Sequence, residues 1–392
     1  MTLIKYCCLF LLIIAPSDKI LKAVHNNEVN TDCSKWRGVN LPLQINWATK
    51  NSLSQADFDY ASSAGANVIR LSVHSDPEAK NHSDFLDDNG KLFPLDHNPG
   101  LDDLDKAVKM AEKDHLKVII DMHTMPGTTG AKIWEEEKYW DYLTQIWVLI
   151  SQKFKNNKTI VAFDLMNEPG IIGYIRNQNI VQKTSTEAMI YLGKWTPPDD
   201  WKNTPRDYNM HMTKIIREIR IVDSSRCAIV EGFGILGNPI NFNWMMPIQG
   251  FNNIVYSFHM YVPTGITMLG TVGSIKKGQD DNVKPFDPAI DESNIDDALA
   301  PVIAFQKKYN VPIYVGEFGI TNKAIFGKDA SGNSYNGACW LTTIIKKMDK
   351  NKWGWTYWDF WTAVRKPESN NDPRYVILSA AMKREPLPRY CK

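Results

Sequence analysis

Residues Thr159 to Gly170 read TIVAFDLMNEPG, and the way this stretch folds constrains everything around it. It starts as an apolar run, Ile160-Val161-Ala162-Phe163, which suits a strand covered on both faces. It ends in an amide, a carboxylate and a proline: Asn167, Glu168 and Pro169. Pro169 has no N–H for a sheet ladder and Gly170 loosens the chain, so the strand stops there. A carboxyl delivered at the end of a buried strand sits partly out of water, which raises its pKa and suits a general acid. A second stretch matches it: VPIYVGEFG, Val311 to Gly319, also delivers one carboxylate, Glu317, beside a glycine. The two glutamates lie far apart in the chain, and a closed parallel barrel is a fold that brings distant strand ends together.

The surrounding pattern agrees. Strands are predicted at Ser34 to Pro42, Ala66 to Val73, Lys117 to His123, Arg226 to Gly232, Asn253 to Tyr261, Val311 to Glu317 and Trp353 to Phe360. Helices are predicted over Ser54 to Ala64, Gly100 to His115, Glu137 to Phe154, Arg206 to Val222, Ile295 to Tyr309, Ala338 to Met348 and Tyr375 to Met382. Ser54 is a natural cap and Gly65 a natural stop. Leu101, Leu104, Val108 and Ala111 share one helical face. Alternating strands and helices predict an α/β fold, a (β/α)8 TIM barrel, in one domain covering 24–392. Gly, Pro and Asp breakers from Ile171 to Pro205 mark an irregular, lid-like excursion after the fourth strand.

The chain has 392 residues, 43% hydrophobic and 23% charged, enough for one large core. Its formal net charge of +1 offers no field for nucleic acid or an anionic membrane, and the mature chain is expected to act as a monomer. Met1 to Ala23 has a basic Lys5 and then a short apolar core, Cys7 to Ala15, the pattern of a secretory signal cleaved after Ala23; an uncleaved anchor is the alternative. A secreted or periplasmic location follows. Cys33, Cys227, Cys339 and Cys391 then allow up to two disulfides in any of about three pairings.

The strand exits carry Arg70, His123, Asn167, Glu168, His259, Tyr261, Glu317 and Trp358. Taken singly, an Arg or His there is usually a structural hydrogen-bonder, a Trp is packing and a Glu an ion-pair partner; together they form an ensemble. This set resembles glycoside hydrolase family 5, the cellulase family of retaining (β/α)8 enzymes. Asn167-Glu168-Pro169 resembles the family's acid/base signature, GEFG around Glu317 its nucleophile strand, and YSFHMY its His-x-Tyr pair. WRGVNL, IDMHTMPG and WTYWDFW are similar to its first, third and eighth strands.

The resemblance implies an endo-acting cellulase with Glu168 as acid/base and Glu317 as nucleophile, about 5 Å apart. The like charge of Glu317 is expected to keep Glu168 protonated. Arg70 and Tyr261 would orient Glu317, Asn167 would meet the sugar's 2-hydroxyl, His123 and His259 would complete the polar shell, and Trp358 would form an apolar floor. The partner is a β-linked polysaccharide, and no cofactor or metal is expected. β-Mannan and β-1,3- or mixed-linkage glucan are alternative substrates. Two rivals are a catalytically silent glycan-binding barrel and a metal hydrolase built on Asp121, His123 and His259. The binding barrel should have lost a carboxylate; the metal site should show a tighter ligand motif. Trp47, Trp134, Trp140, Trp195, Trp201, Trp244 and Trp361 are candidate sugar platforms. Glu231 reads as structural or a substrate contact, and Asp121 and Asp164 as buried polar partners.

Overall fold

The computed structural model describes residues 32–46, 51–76, 85–87, 91–178, 197–269, 283–364 and 371–391. The predicted signal segment lies outside them, as does the middle of the 171–205 excursion; its described ends form a short helix, Ile172–Asn177, and a 3-10 turn, Asp199–Trp201. The barrel strands are β1 (Arg37–Pro42), β2 (Val68–His74), β3 (Lys117–Thr124), β4 (Ile160–Asp164), β5 (Cys227–Glu231), β6 (Ile254–Met260), β7 (Ile313–Phe318) and β8 (Gly354–Tyr357). All neighbours are parallel, and β1 pairs with both β2 and β8, which closes the ring. Gly38 permits that closure: a Cβ there would lie 1.7 Å from the Val68 carbonyl oxygen.

Helices α1 (Gln55–Ser63), α2 (Pro99–Lys113), α3 (Glu137–Phe154), α4 (Tyr208–Val222), α5 (Pro288–Tyr309), α6 (Gly337–Lys350) and α7 (Pro373–Lys383) cover the outside. Asn98 caps α2 by accepting the Leu101 N–H at 3.1 Å. α5 begins a full two turns before the predicted Ile295, at Pro288 after the capping Asp287; those first turns are mostly exposed, so no apolar periodicity announced them. The alternation also breaks once. Between β5 and β6 the described chain makes a 3-10 turn, Pro239–Asn243, where an eight-fold repeat calls for a helix. Gly232, Gly234, Gly237 and Pro239 leave too little uninterrupted chain for one.

The period of two along each strand sorts the barrel interior into layers. Val68, Ile119, Ala162, Ile229, Val255 and Tyr314 form an apolar layer, closed from below by Cys33 and Trp36, the latter edge-on to Tyr314 at 5.4 Å. Two residues further along the strands come Arg70, Asp121, Asp164 and Glu231, all fully buried. Beyond them the strand exits open to solvent. Of the four cysteines, Cys339 and Cys391 form a disulfide joining α6 to the C-terminal segment; Cys33 and Cys227 lie in the apolar layer, outside any disulfide among the described residues. Only one of the two permitted bridges is therefore made.

Candidate active site

Arg70 is the hub. Its Nε donates to Asp164 Oδ2 at 2.9 Å, and its Nη1 to Asn40 Oδ1 at 3.1 Å and Glu317 Oε1 at 3.0 Å. Its Nη2 donates to Asp121 Oδ1 and Asn167 Oδ1 at 2.8 Å and to Glu231 Oε1 at 3.2 Å. Burial works against the guanidinium, but Asp121, Asp164, Glu317 and Glu231 outweigh it and hold its pKa well above the usual arginine value. Asp121 and Asp164 are thus the buried polar partners expected of them. Burial pushes the Asp164 carboxyl well above the ordinary range despite Arg70; Asp121, paired with both Arg70 and His123, is held low against its own burial.

The exits of β4, β6 and β7 then meet. Tyr261 donates its hydroxyl to Glu317 Oε2 at 2.9 Å, and burial followed by the Glu317 charge pushes the phenol's pKa far up, so it remains a donor. His259 sets Nδ1 2.8 Å from Glu168 Oε1 and 3.5 Å from Glu317 Oε2. One oxygen of each glutamate and one nitrogen of His259 lie within 4.8 Å of one another. His123 bonds Asp121 Oδ2 at 2.8 Å, approaches Glu317 to 3.9 Å, and stacks on Trp358 with ring centroids 5.2 Å apart and planes 4° from parallel. All eight residues singled out from the sequence are in one linked group.

The Glu168 side chain is 27% exposed while that of Glu317 is 6% exposed, so Glu168 is the one reachable from above. Its backbone sits at φ 45°, a left-handed conformation costly for a glutamate. Its protonation differs from the sequence expectation. Burial opposes the Glu168 charge, but the hydrogen bond and charge of His259 outweigh it and hold the carboxyl below the ordinary range. Counting Glu317 alone predicted a raised value; the imidazole between them reverses the balance.

One contributor went unassigned in the sequence and a second was placed only loosely. Asn40, besides accepting from Arg70, donates to the Gly316 carbonyl at 3.0 Å, tying β1 to β7 beside Glu317; its one signal was an amide inside an apolar strand. Glu231, fully buried, accepts the Glu168 backbone N–H at 3.0 Å and lies 3.1 Å from His259 Nε2. These contacts fit the structural half of the sequence reading.

Glu168, His259 and Glu317 also have the ligand types of a metal site. Arg70 already brings a buried positive charge onto Glu317 there, which disfavours a further cation. The metal rival fares no better, because Asp121 and His123 bond each other while His259 turns towards Glu168 and Glu231.

A cleft of about 880 Å³ runs over Glu168, His259, Tyr261, Glu317 and Trp358, and a neighbouring one of about 390 Å³ continues past Asn167 and Trp134. Both are of ligand-cleft size. Of the candidate platforms, Trp134 lines the second cleft and is almost wholly buried; Trp140 is core, stacked on His211 at 4.2 Å. Trp201 and Trp244 line a separate cavity of about 270 Å³. Trp47, Trp195 and the Trp361 side chain lie outside the described residues.

Comparisons with known proteins bear on the family and the fold. The family model described as Cellulase (glycosyl hydrolase family 5) matches residues 24–364. An endoglucanase of Paenibacillus polymyxa is 22% identical over 362 residues, 83% of this chain and 78% of that protein. Cellodextrinase A of Ruminococcus flavefaciens is 21% identical over 69% of each. Among solved structures, Thermotoga maritima Cel5A in complex with cellobiose superposes with a TM-score of 0.65 at 18% identity, covering 90% of this chain and 98% of its own. The same enzyme with mannotriose gives 0.62 at 19%, covering 84% and 91%.

Proposed function

The chain belongs to glycosyl hydrolase family 5, and from that premise we propose that it is an exported endo-β-1,4-glucanase working by double displacement, with Glu317 as nucleophile and Glu168 as acid/base. One observation carries the reading: oxygens of Glu168 and Glu317 come within 4.8 Å. A retaining mechanism needs carboxyls about 5 Å apart, whereas inversion needs about 6.5–9.5 Å to admit a water.

In the first half-reaction, Glu317, oriented by Arg70 and Tyr261, forms a bond to the anomeric carbon as the glycosidic C–O bond breaks. Glu168 passes its proton to the departing oxygen. In the second, a water attacks that carbon, Glu168 takes the water's proton, and the ester bond to Glu317 breaks. Asn167 spends its Oδ1 on Arg70, which leaves its amide N–H to meet the 2-hydroxyl, where a hydrogen bond strengthens in the transition state. Trp358, backed by His123, offers the ring for the sugar above it. Export is supported by the Cys339–Cys391 disulfide and by a family match that begins just after Ala23.

The test is Glu317→Gln, scored for reducing ends released from a soluble cellulose derivative, a β-mannan and a β-1,3-glucan. We expect wild-type release to be greatest on the cellulose derivative. The variant should fold normally and fall by about 10³-fold or more. Wild-type rates in the variant would remove Glu317 from its role. Faster release from mannan would favour the mannanase alternative, which gains some support from a neighbouring fold solved with mannotriose.

A further inference from the structure

Glu231 has no part in the reaction as written, yet it touches both ends of the acid/base pair. Its Oε2 accepts the Glu168 backbone N–H at 3.0 Å, and its Oε1 lies 3.1 Å from His259 Nε2. The other ring nitrogen, Nδ1, is 2.8 Å from Glu168 Oε1. A neutral imidazole has one N–H and one lone pair. The Nε2 approach is a charge contact without hydrogen-bond alignment, but with charged carboxylates at both nitrogens the neutral ring would set a lone pair against an anion on one side or the other. The doubly protonated ring avoids this.

We propose that Glu231 is a positioning residue that stores the catalytic proton on His259, so that Glu231, His259 and Glu168 act as one proton-sharing chain. This rests on the reading of Glu168 as the acid/base. In the free enzyme the proton sits on His259 Nδ1, beside a charged Glu168. When a glycoside occupies the cleft, the Nδ1–H bond breaks and an O–H bond forms at Glu168 Oε1, from which the proton goes to the leaving oxygen. His259 is then neutral just when Glu317, now an ester, no longer presents a negative charge to it. In the second half-reaction Glu168 takes a proton from water and returns it to His259, so the proton count closes over one turnover. Glu231 also holds the backbone of Glu168 in its left-handed conformation, φ 45°, which aims the carboxyl at the imidazole.

The charged surroundings of His259 come from every neighbouring strand. Glu231 faces it from β5, Glu168 with Asp164 behind it from β4, and Glu317 from β7; Tyr261 follows it on its own strand. Arg70 on β2 donates to that same Glu231 Oε1 at 3.2 Å and to Glu317 at 3.0 Å, while Asp121 and His123 face Arg70 and Glu317 from β3. Burial would lower the imidazole's pKa, but Glu231 first, then Glu317 and the bond to Glu168, raise it well above the ordinary histidine value.

The experiment compares pH profiles of kcat/KM on a soluble β-glucan for wild type and Glu231→Gln. The shared proton's loss sets the alkaline limb. A neutral Gln removes an anion that retains that proton, so the limb should move to lower pH by about one unit or more. A Glu231 that only braces the fold would lower the rate at all pH values and leave the limb in place, and that result overturns the inference. A wild-type chain that releases no reducing ends from any β-glycan defeats the glycosidase reading instead. ¹⁵N NMR of the imidazoles, with His259 assigned by His259→Asn, requires neither turnover nor a folded Glu231 variant. His259 should stay doubly protonated well above about pH 6.5; a ring that becomes neutral in that ordinary range sinks the proposal.

Discussion

Replacing Arg70 with Met keeps the length of the side chain and deletes its charge. The guanidinium is fully buried and donates to six side chains, four of them acidic. Asp164 loses least, since its burial already favours the neutral form. Asp121, Glu231 and Glu317 would be left facing one another without their shared cation. Removing one partner of a buried ion pair costs about 3–5 kcal/mol, a large part of the roughly 5–15 kcal/mol that stabilises a folded domain. For a chain of this length, about 4 kcal/mol lowers Tm by about 5 °C. Calorimetry at pH 7 should show that loss, and the gap should narrow in acid. Without Arg70 the folded carboxyls have raised pKa values and bind protons more readily than the unfolded chain, so the variant gains stability as pH falls through those values. The wild type moves the other way, because Asp121, held low in the fold, gives up its contribution as it is protonated. A variant as stable as wild type at pH 7, or a gap that widens in acid, would refute the hub role of Arg70.

Two further outcomes follow from single contacts. Tyr261→Phe removes the 2.9 Å hydrogen bond to Glu317; kcat/KM should fall by about 10- to 100-fold, the worth of a hydrogen bond to a charged group. An unchanged kcat/KM would mean that Arg70 alone orients the carboxylate. Cys339→Ser opens a loop with a sequence separation of 52, and loop entropy puts the loss of stability at up to about 4 kcal/mol. Denaturant unfolding should show it, while kcat stays put because the bridge lies on the outer helical layer; a large drop in kcat would contradict that separation.

The barrel and its eight site residues were legible because six of the strands are short apolar runs interrupted (Arg70) or ended by chemically distinct residues, and parallel closure does the gathering. What escaped depends on three-dimensional contacts. Glu231 looked like a lone acid in a VEG turn; only the bend at Glu168 brings the backbone N–H onto it. The protonation of Glu168 was misjudged because the sequence offers Glu317 as a charge neighbour but cannot show an imidazole within 2.8 Å. The missing helix between β5 and β6 was signalled by glycines and a proline that an eight-fold expectation passed over. Cysteine pairing is invisible without knowing that Cys33 and Cys227 belong to the barrel interior and Cys339 and Cys391 to its rim.

The hydrocarbon stopper formed by Cys33, Trp36 and the first inward layer has a bearing on turnover. It leaves the mouth as the open end of the described barrel, so solvent meets the layer of Asp164, Glu231 and His259 from the strand-exit side. A ligand lying in the cleft stands between solvent and that buried layer, so occupancy of the cleft and the ionisation beneath it are coupled.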